Sequence, residues 1–64
     1  MIAHIKMTGA ETPEQAAWVF EQCSEWERQR GPFVGQTCGA ARGKWSLSMN
    51  RTKHGITAHF RVTA

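Results

Sequence analysis

Thr12-Pro13-Glu14-Gln15 opens, and Gly31-Pro32 closes, the one segment of this chain with a helical period, and that single helix limits what the rest can pack against. Thr12 is a natural N-cap. Proline suits the first helical position because its missing N–H would have no partner there, and Gln15 stands where a capping box places Glu or Gln. Arg28 and Arg30 complement the negative C-terminal end of the helix dipole before Gly-Pro stops it. At roughly 100° per residue, Ala16, Val19, Phe20, Cys23 and Trp26 form one apolar stripe. Trp18 falls well away from its centre, and Glu21, Glu25 and Gln29 line a polar flank.

The stripe needs an apolar surface to cover, and two-residue alternation supplies it. Met1, Ala3, Ile5 and Met7 alternate with Ile2, His4 and Lys6, the pattern of a half-buried strand that ends at Gly9-Ala10. Trp45, Leu47 and Met49 alternate with Lys44, Ser46, Ser48 and Asn50, while Ile56, Ala58, Phe60 and Val62 alternate with Thr57, His59, Arg61 and Thr63. Pairing Met49 with Ile56, Leu47 with Ala58 and Trp45 with Phe60 puts every apolar residue on one face and leaves Arg51-Thr52-Lys53-His54 as the hairpin loop. Phe33 to Cys38 reads as a short strand weakened by glycine, and Gly39 to Gly43 as loop. The expected fold is α+β: a small antiparallel sheet of three to four strands with one helix on one face, in the order β-α-(β)-β-β, forming a single domain over residues 1–64. No internal repeat or low-complexity segment interrupts it.

Sixty-four residues leave little stability to spare, since a domain this small buries only roughly 60% of the surface its unfolded chain exposes. Two cysteines are too few for a disulfide scaffold, and neither a leader-like segment nor a membrane-spanning run is seen, so a cytoplasmic protein with reduced thiols is the expectation.

Charge is divided along the chain. Residues 1–27 hold Lys6 against Glu11, Glu14, Glu21, Glu25 and Glu27; residues 28–64 hold Arg28, Arg30, Arg42, Lys44, Arg51, Lys53 and Arg61 with no carboxylate. A formal −4 is thus followed by +7, leaving the net +3 of the whole chain. With the helix on the apolar side, the opposite sheet face carries His4, Lys6, Lys44, Ser46, Ser48, Thr57, His59 and Arg61. The register above sets Lys44 opposite Arg61, a like-charge pair costing roughly 0.2–1 kcal/mol that an anionic partner would turn to advantage. Lys6, Lys44, Arg61 and His59, the loop residues Arg51 and Lys53, and Trp18 are therefore the candidate partner-binding residues, Trp18 reading either as an exposed anchor or as a cover for the helix–sheet seam or the Pro32-Phe33 corner.

Catalytic and metal chemistry find no footing in the sequence. Gly39-Ala-Ala-Arg-Gly43-Lys44 has one residue too few between its glycines for a phosphate-binding loop, and is followed by Trp45 and a strand instead of Ser or Thr and a helix. Cys23, Cys38, His4, His54 and His59 lack the short spacings of a zinc site, and Cys23 belongs to the apolar stripe. A Cys38–His59 nucleophile pair would need an orienting carboxylate and a cleft. Hence no enzyme, metal or cofactor is expected.

The expectation is a small non-enzymatic binding protein that docks on a larger protein or nucleoprotein complex with an acidic surface. In size, charge and lack of a catalytic constellation it is similar to the accessory inhibitors of phages and mobile elements, of the anti-CRISPR and anti-defence kind. The alternative is a small basic DNA- or RNA-binding regulator touching phosphates through the sheet face and hairpin loop. The helix is acidic and the sheet face has no aromatic platform, which leaves only phosphate contact for nucleic acid. A homodimer is compatible with the small core.

Overall fold

The structure, a computed structural model, describes residues 4–30 and 34–63. Met1, Ala3, Gly31, Pro32 and Phe33, on which parts of the strand, helix-stop and corner expectations fell, lie outside the described residues. Strand β1 (Ile5–Thr8) leads to helix α1 (Pro13–Arg30), then to strands β2 (Thr37–Arg42), β3 (Trp45–Thr52) and β4 (Gly55–Val62). The four strands form one sheet in the order β1-β4-β3-β2, with α1 on one side, so the α+β class and the one-sided helix are as the sequence implies.

The helix start follows its capping signal. Gln15 N donates to Thr12 Oγ1 at 3.1 Å, while Gln15 Oε1 accepts from the backbone N–H groups of Glu11 (2.8 Å) and Thr12 (3.3 Å). Donors that a bare helix end would leave unpaired are satisfied, a gain of about 1 kcal/mol for a cap of this kind.

The sheet is mixed, not wholly antiparallel: β1 pairs with β4 in parallel, whereas β4–β3 and β3–β2 are antiparallel. Connectivity explains it. A helix of 18 residues, about 27 Å long, carries the chain back to the end where β1 began, so β2 runs the same way as β1. Two hairpins then reverse direction twice, and β4 arrives parallel to β1. Glycine permits the close fit at both ends of β1. A Cβ on Gly55 (φ +145°) would sit 2.0 Å from the His4 carbonyl oxygen, and one on Gly9 (φ +89°) 2.0 Å from that of Phe60. No L side chain fits at either place.

The last hairpin differs from the expected register by two residues: Leu47 faces Phe60, Met49 faces Ala58 and Thr52 faces Gly55, leaving only Lys53-His54 in the turn. Thr52 makes the tighter turn possible, its hydroxyl donating to the Gly55 carbonyl (3.1 Å) and accepting from His54 N (3.2 Å). A shift of two preserves which side chains face the helix, so the apolar face survives intact. β2 is also displaced: the strand is Thr37–Arg42, where a loop was expected from Gly39 onward. Ladder bonds to β3 hold it, and Gly43 (φ +60°) supplies the left-handed first position of a two-residue Gly43-Lys44 turn.

Trp18, Val19, Cys23 and Trp26 of the helix meet Leu47, Met49, Ile56, Ala58 and Phe60 of the sheet in one buried core. Of the two readings of Trp18, the exposed anchor is corrected and the seam cover holds: it is 6% exposed, while Phe20, assigned to the stripe, is 57% exposed. Both stand roughly 100° from Val19 on the helical wheel, on opposite sides. The aromatic surface of Trp45 and Phe60 decides between them. Trp18 packs on Trp45 at a centroid distance of 5.6 Å and edge-on to Phe60 at 5.9 Å, and the last two rings meet at 5.5 Å.

Cys23, fully enclosed, has its thiol pushed by burial from 9.0 up to about 11. The folded state thus holds this proton more tightly than the unfolded chain does. Its contribution to stability is complete below the unfolded value and is lost as pH rises through the folded one. Urea titrations should show stability falling between about pH 9 and 11, and a Cys23→Ala variant should lack that component; an identical decline in both would contradict it.

Candidate functional site

The side of the sheet away from α1 is built by the residues that alternate with the core. In β1 these are Lys6 and Thr8, since Ile5 and Met7 pack on the core. In β4 they are Thr57, His59 and Arg61; in β3, Ser46, Ser48 and Asn50; in β2, Thr37, Gly39 and Ala41. Most are exposed, and none covers another with a large side chain. The face is therefore open, low on its β2–β3 half, and free of carboxylates among the described residues. Glu11, Glu14, Glu21 and Glu25 all lie on α1 or just before it.

The register sets polar groups beside one another across this face. Ser48 is opposite His59, Ser46 opposite Arg61, Thr8 opposite His59 and Lys6 opposite Thr57. Thr8 Oγ1 lies 2.8 Å from His59 Nδ1 and gives its own proton to the Ala58 carbonyl oxygen (3.3 Å), which tethers the imidazole toward β1 and leaves Nε2 as its free nitrogen. Ser46, Ser48, His59 and Arg61 border one shallow depression of about 210 Å³.

Of the residues singled out in the sequence, Lys6, His59 and Arg61 share this face. Lys44 does not stand opposite Arg61, contrary to expectation. The register shift places it level with Thr63, whose N–H donates to the Lys44 carbonyl at 2.8 Å, and the like-charge pairing is absent. Lys53 is exposed at the β3–β4 turn.

Arg51 is corrected outright. It belongs to β3, not to a loop, and follows Met49 on the helix side, where its side chain is 10% exposed and that of its partner Glu27 is 7% exposed. Arg51 Nη2 donates to Glu27 Oε1 at 3.2 Å; Nε lies 3.0 Å from Oε2, close enough for an ion pair but misaligned for a hydrogen bond. The sequence carried the sign of both burials: Glu27 stands four residues after Cys23 on the apolar stripe, and Arg51 two after Met49 on the apolar strand face. Trp18, as described above, is core and not an exposed anchor.

A larger groove, about 480 Å³, lies between α1 and the β2–β3 corner and was not foreseen; Glu14, Ala17, Trp18, Glu21, Arg42 and Trp45 line it. Its charges are mixed but net acidic, with Arg42 against Glu14 and Glu21, so it does not favour an anion. Among the described residues no group of three or more His, Cys, Asp and Glu is placed to hold a metal ion, and no helix is long and apolar enough to cross a membrane. Comparisons with protein-family models, curated proteins and solved structures give no match.

The Glu27–Arg51 pair should be costly to halve and cheap to replace. Glu27→Ala or Arg51→Ala should each destabilise the protein by about 3–5 kcal/mol, whereas Glu27→Leu with Arg51→Met should be close to neutral. Chemical denaturation of the three variants checks this; equal losses in all would contradict it.

Proposed function

We propose that this chain is a non-enzymatic binding protein that lays its open sheet face against an anionic surface of a larger protein or nucleoprotein complex, and blocks or adapts that complex. Small inhibitors carried by phages and mobile elements, including those of the anti-CRISPR and anti-defence kind, work in this general way, and the size and charge of this chain suit such a role. One observation carries the reading: Lys6, His59 and Arg61 stand on a face without carboxylates among the described residues, while Glu14, Glu21 and Glu25 stand on α1, on the other side of the sheet, and Glu11 comes near the row where it borders a depression of about 370 Å³ with Arg61. A molecule so polarised approaches an anionic surface in one orientation, which raises association rates and fixes which face docks. Size favours a broad partner over a small molecule, because the depression on this face, about 210 Å³, is smaller than the roughly 300–1,000 Å³ of a small-molecule pocket.

The test is affinity capture with the intact protein, followed by measured binding to whatever is retained. Lys6→Glu with Arg61→Glu should weaken that binding by more than about tenfold while leaving the unfolding midpoint unchanged, since both side chains are exposed. Glu14→Lys with Glu21→Lys should leave it intact. The reverse pattern, loss with the helix variant and retention with the sheet variant, would place the interface on the other side.

A further inference from the structure

The donors on the open face repeat along the strand direction. Lys6 lies level with Thr57, His59 comes two residues further along β4 and Arg61 two further still, while Lys44 lies level with Thr63, a further two on. At the rise of a β-strand this is one basic side chain at every step of about 6.6 Å, over a row of roughly 20 Å, with Lys6, Arg61 and Lys44 as its formal charges. A second donor accompanies three of the steps: Asn50 and Thr57 beside Lys6, Ser48 beside His59, and Ser46 beside Arg61. None of Lys6, Ser46, Ser48 and Arg61 has a side-chain partner among the described residues. β2 flanks the row with Gly39 and Ala41, too small to stand in the way of a chain lying along it.

From this repeat, and resting on the reading above, we propose that the anion recognised is the phosphodiester backbone of a single nucleic-acid strand, lying along β4 with its bases turned away from the sheet. A repeating anion suits a repeating set of donors. An acidic peptide stretched over the same row would gain no backbone hydrogen bonds from it, because the ladder edges of the sheet are elsewhere. A sugar–phosphate chain offers mainly acceptors to a face that offers mainly donors. A straight row also fits an extended strand better than a duplex, whose backbone curves away from a flat surface within a few phosphates. The lack of aromatic side chains on the face predicts binding without base preference, since no ring is present for bases to stack on.

Fluorescence anisotropy on the full chain decides the matter with three labelled probes: a mixed-sequence single strand of about twelve nucleotides, the duplex of the same sequence, and a glutamate-rich peptide of matched charge. The single strand should bind best at about 50 mM salt, with log K falling against log salt at a slope of about −2 to −3, as expected for three or four neutralised phosphates. Lys6→Ala with Arg61→Ala should weaken it at least about tenfold and reduce the slope by about 1.4, with circular dichroism unchanged; Glu14→Gln with Glu21→Gln should not weaken it. Peptide binding that equals or exceeds strand binding would overturn the phosphodiester assignment while keeping the docking reading. Duplex binding as tight as that of the strand would overturn the single-strand assignment. No binding of any probe would overturn this inference and remove the electrostatic basis of the reading beneath it.

Discussion

Trp18 sits where the two layers of this small domain are joined. Its ring contacts both Trp45, at the start of β3, and Phe60, near the end of β4, and these two rings contact each other. Such a triangle fixes more than a distance. It selects which side of α1 rolls against the sheet, and so turns Phe20 out to solvent and Glu14 and Glu21 to the rim of a groove. In a chain of 64 residues, with nine buried apolar or aromatic side chains among the described residues, few other contacts are large enough to set that roll. Aromatic pairs of this geometry are each worth about 0.5–1.5 kcal/mol beyond the area they bury, a considerable share of the stability available to so small a domain.

Once the roll of the helix is fixed, the division of charge follows from connectivity. Every carboxylate belongs to α1 or the residue before its cap, and α1 covers only one side of the sheet. The basic side chains of the strands divide by alternation. Lys6, His59 and Arg61 occupy outward positions, whereas Arg51 occupies an inward one and would be an uncompensated buried charge without Glu27. That pair ties the C-terminal half of the helix to β3 as the tryptophan triangle ties the N-terminal half. The helix is thus held at two separated points, one apolar and one ionic.

Much of this was legible in the residues. The capping box named the helix start to the residue, and alternation named the apolar faces of β1, β3 and β4, hence the outward positions of Lys6, His59 and Arg61. What failed did so for identifiable reasons. Alternation has a period of two and is blind to a slip of two, so the hairpin register lay with Thr52 and Gly55, whose turn chemistry outweighs the longer loop. β2 is composed of Thr, Cys, Gly, Ala, Ala and Arg, with too little apolar contrast to announce a strand; its ladder to β3 defines it. On the helical wheel Trp18 and Phe20 are nearly symmetric about Val19, and only the partner surface separates them. The parallel pairing of β1 with β4 was missed as well: it follows from one helical return and two hairpins, a count that needs β2 as a strand.

A double-mutant cycle between Trp18 and Phe60 tests the joint between the layers most directly. With Trp18→Leu, Phe60→Leu and the double variant measured by urea unfolding, the two substitutions should be coupled by about 0.5–1.5 kcal/mol, the double variant losing less than the sum of the singles. Strict additivity would mean that the two rings do not meet, and that the helix sits on the sheet in some other roll.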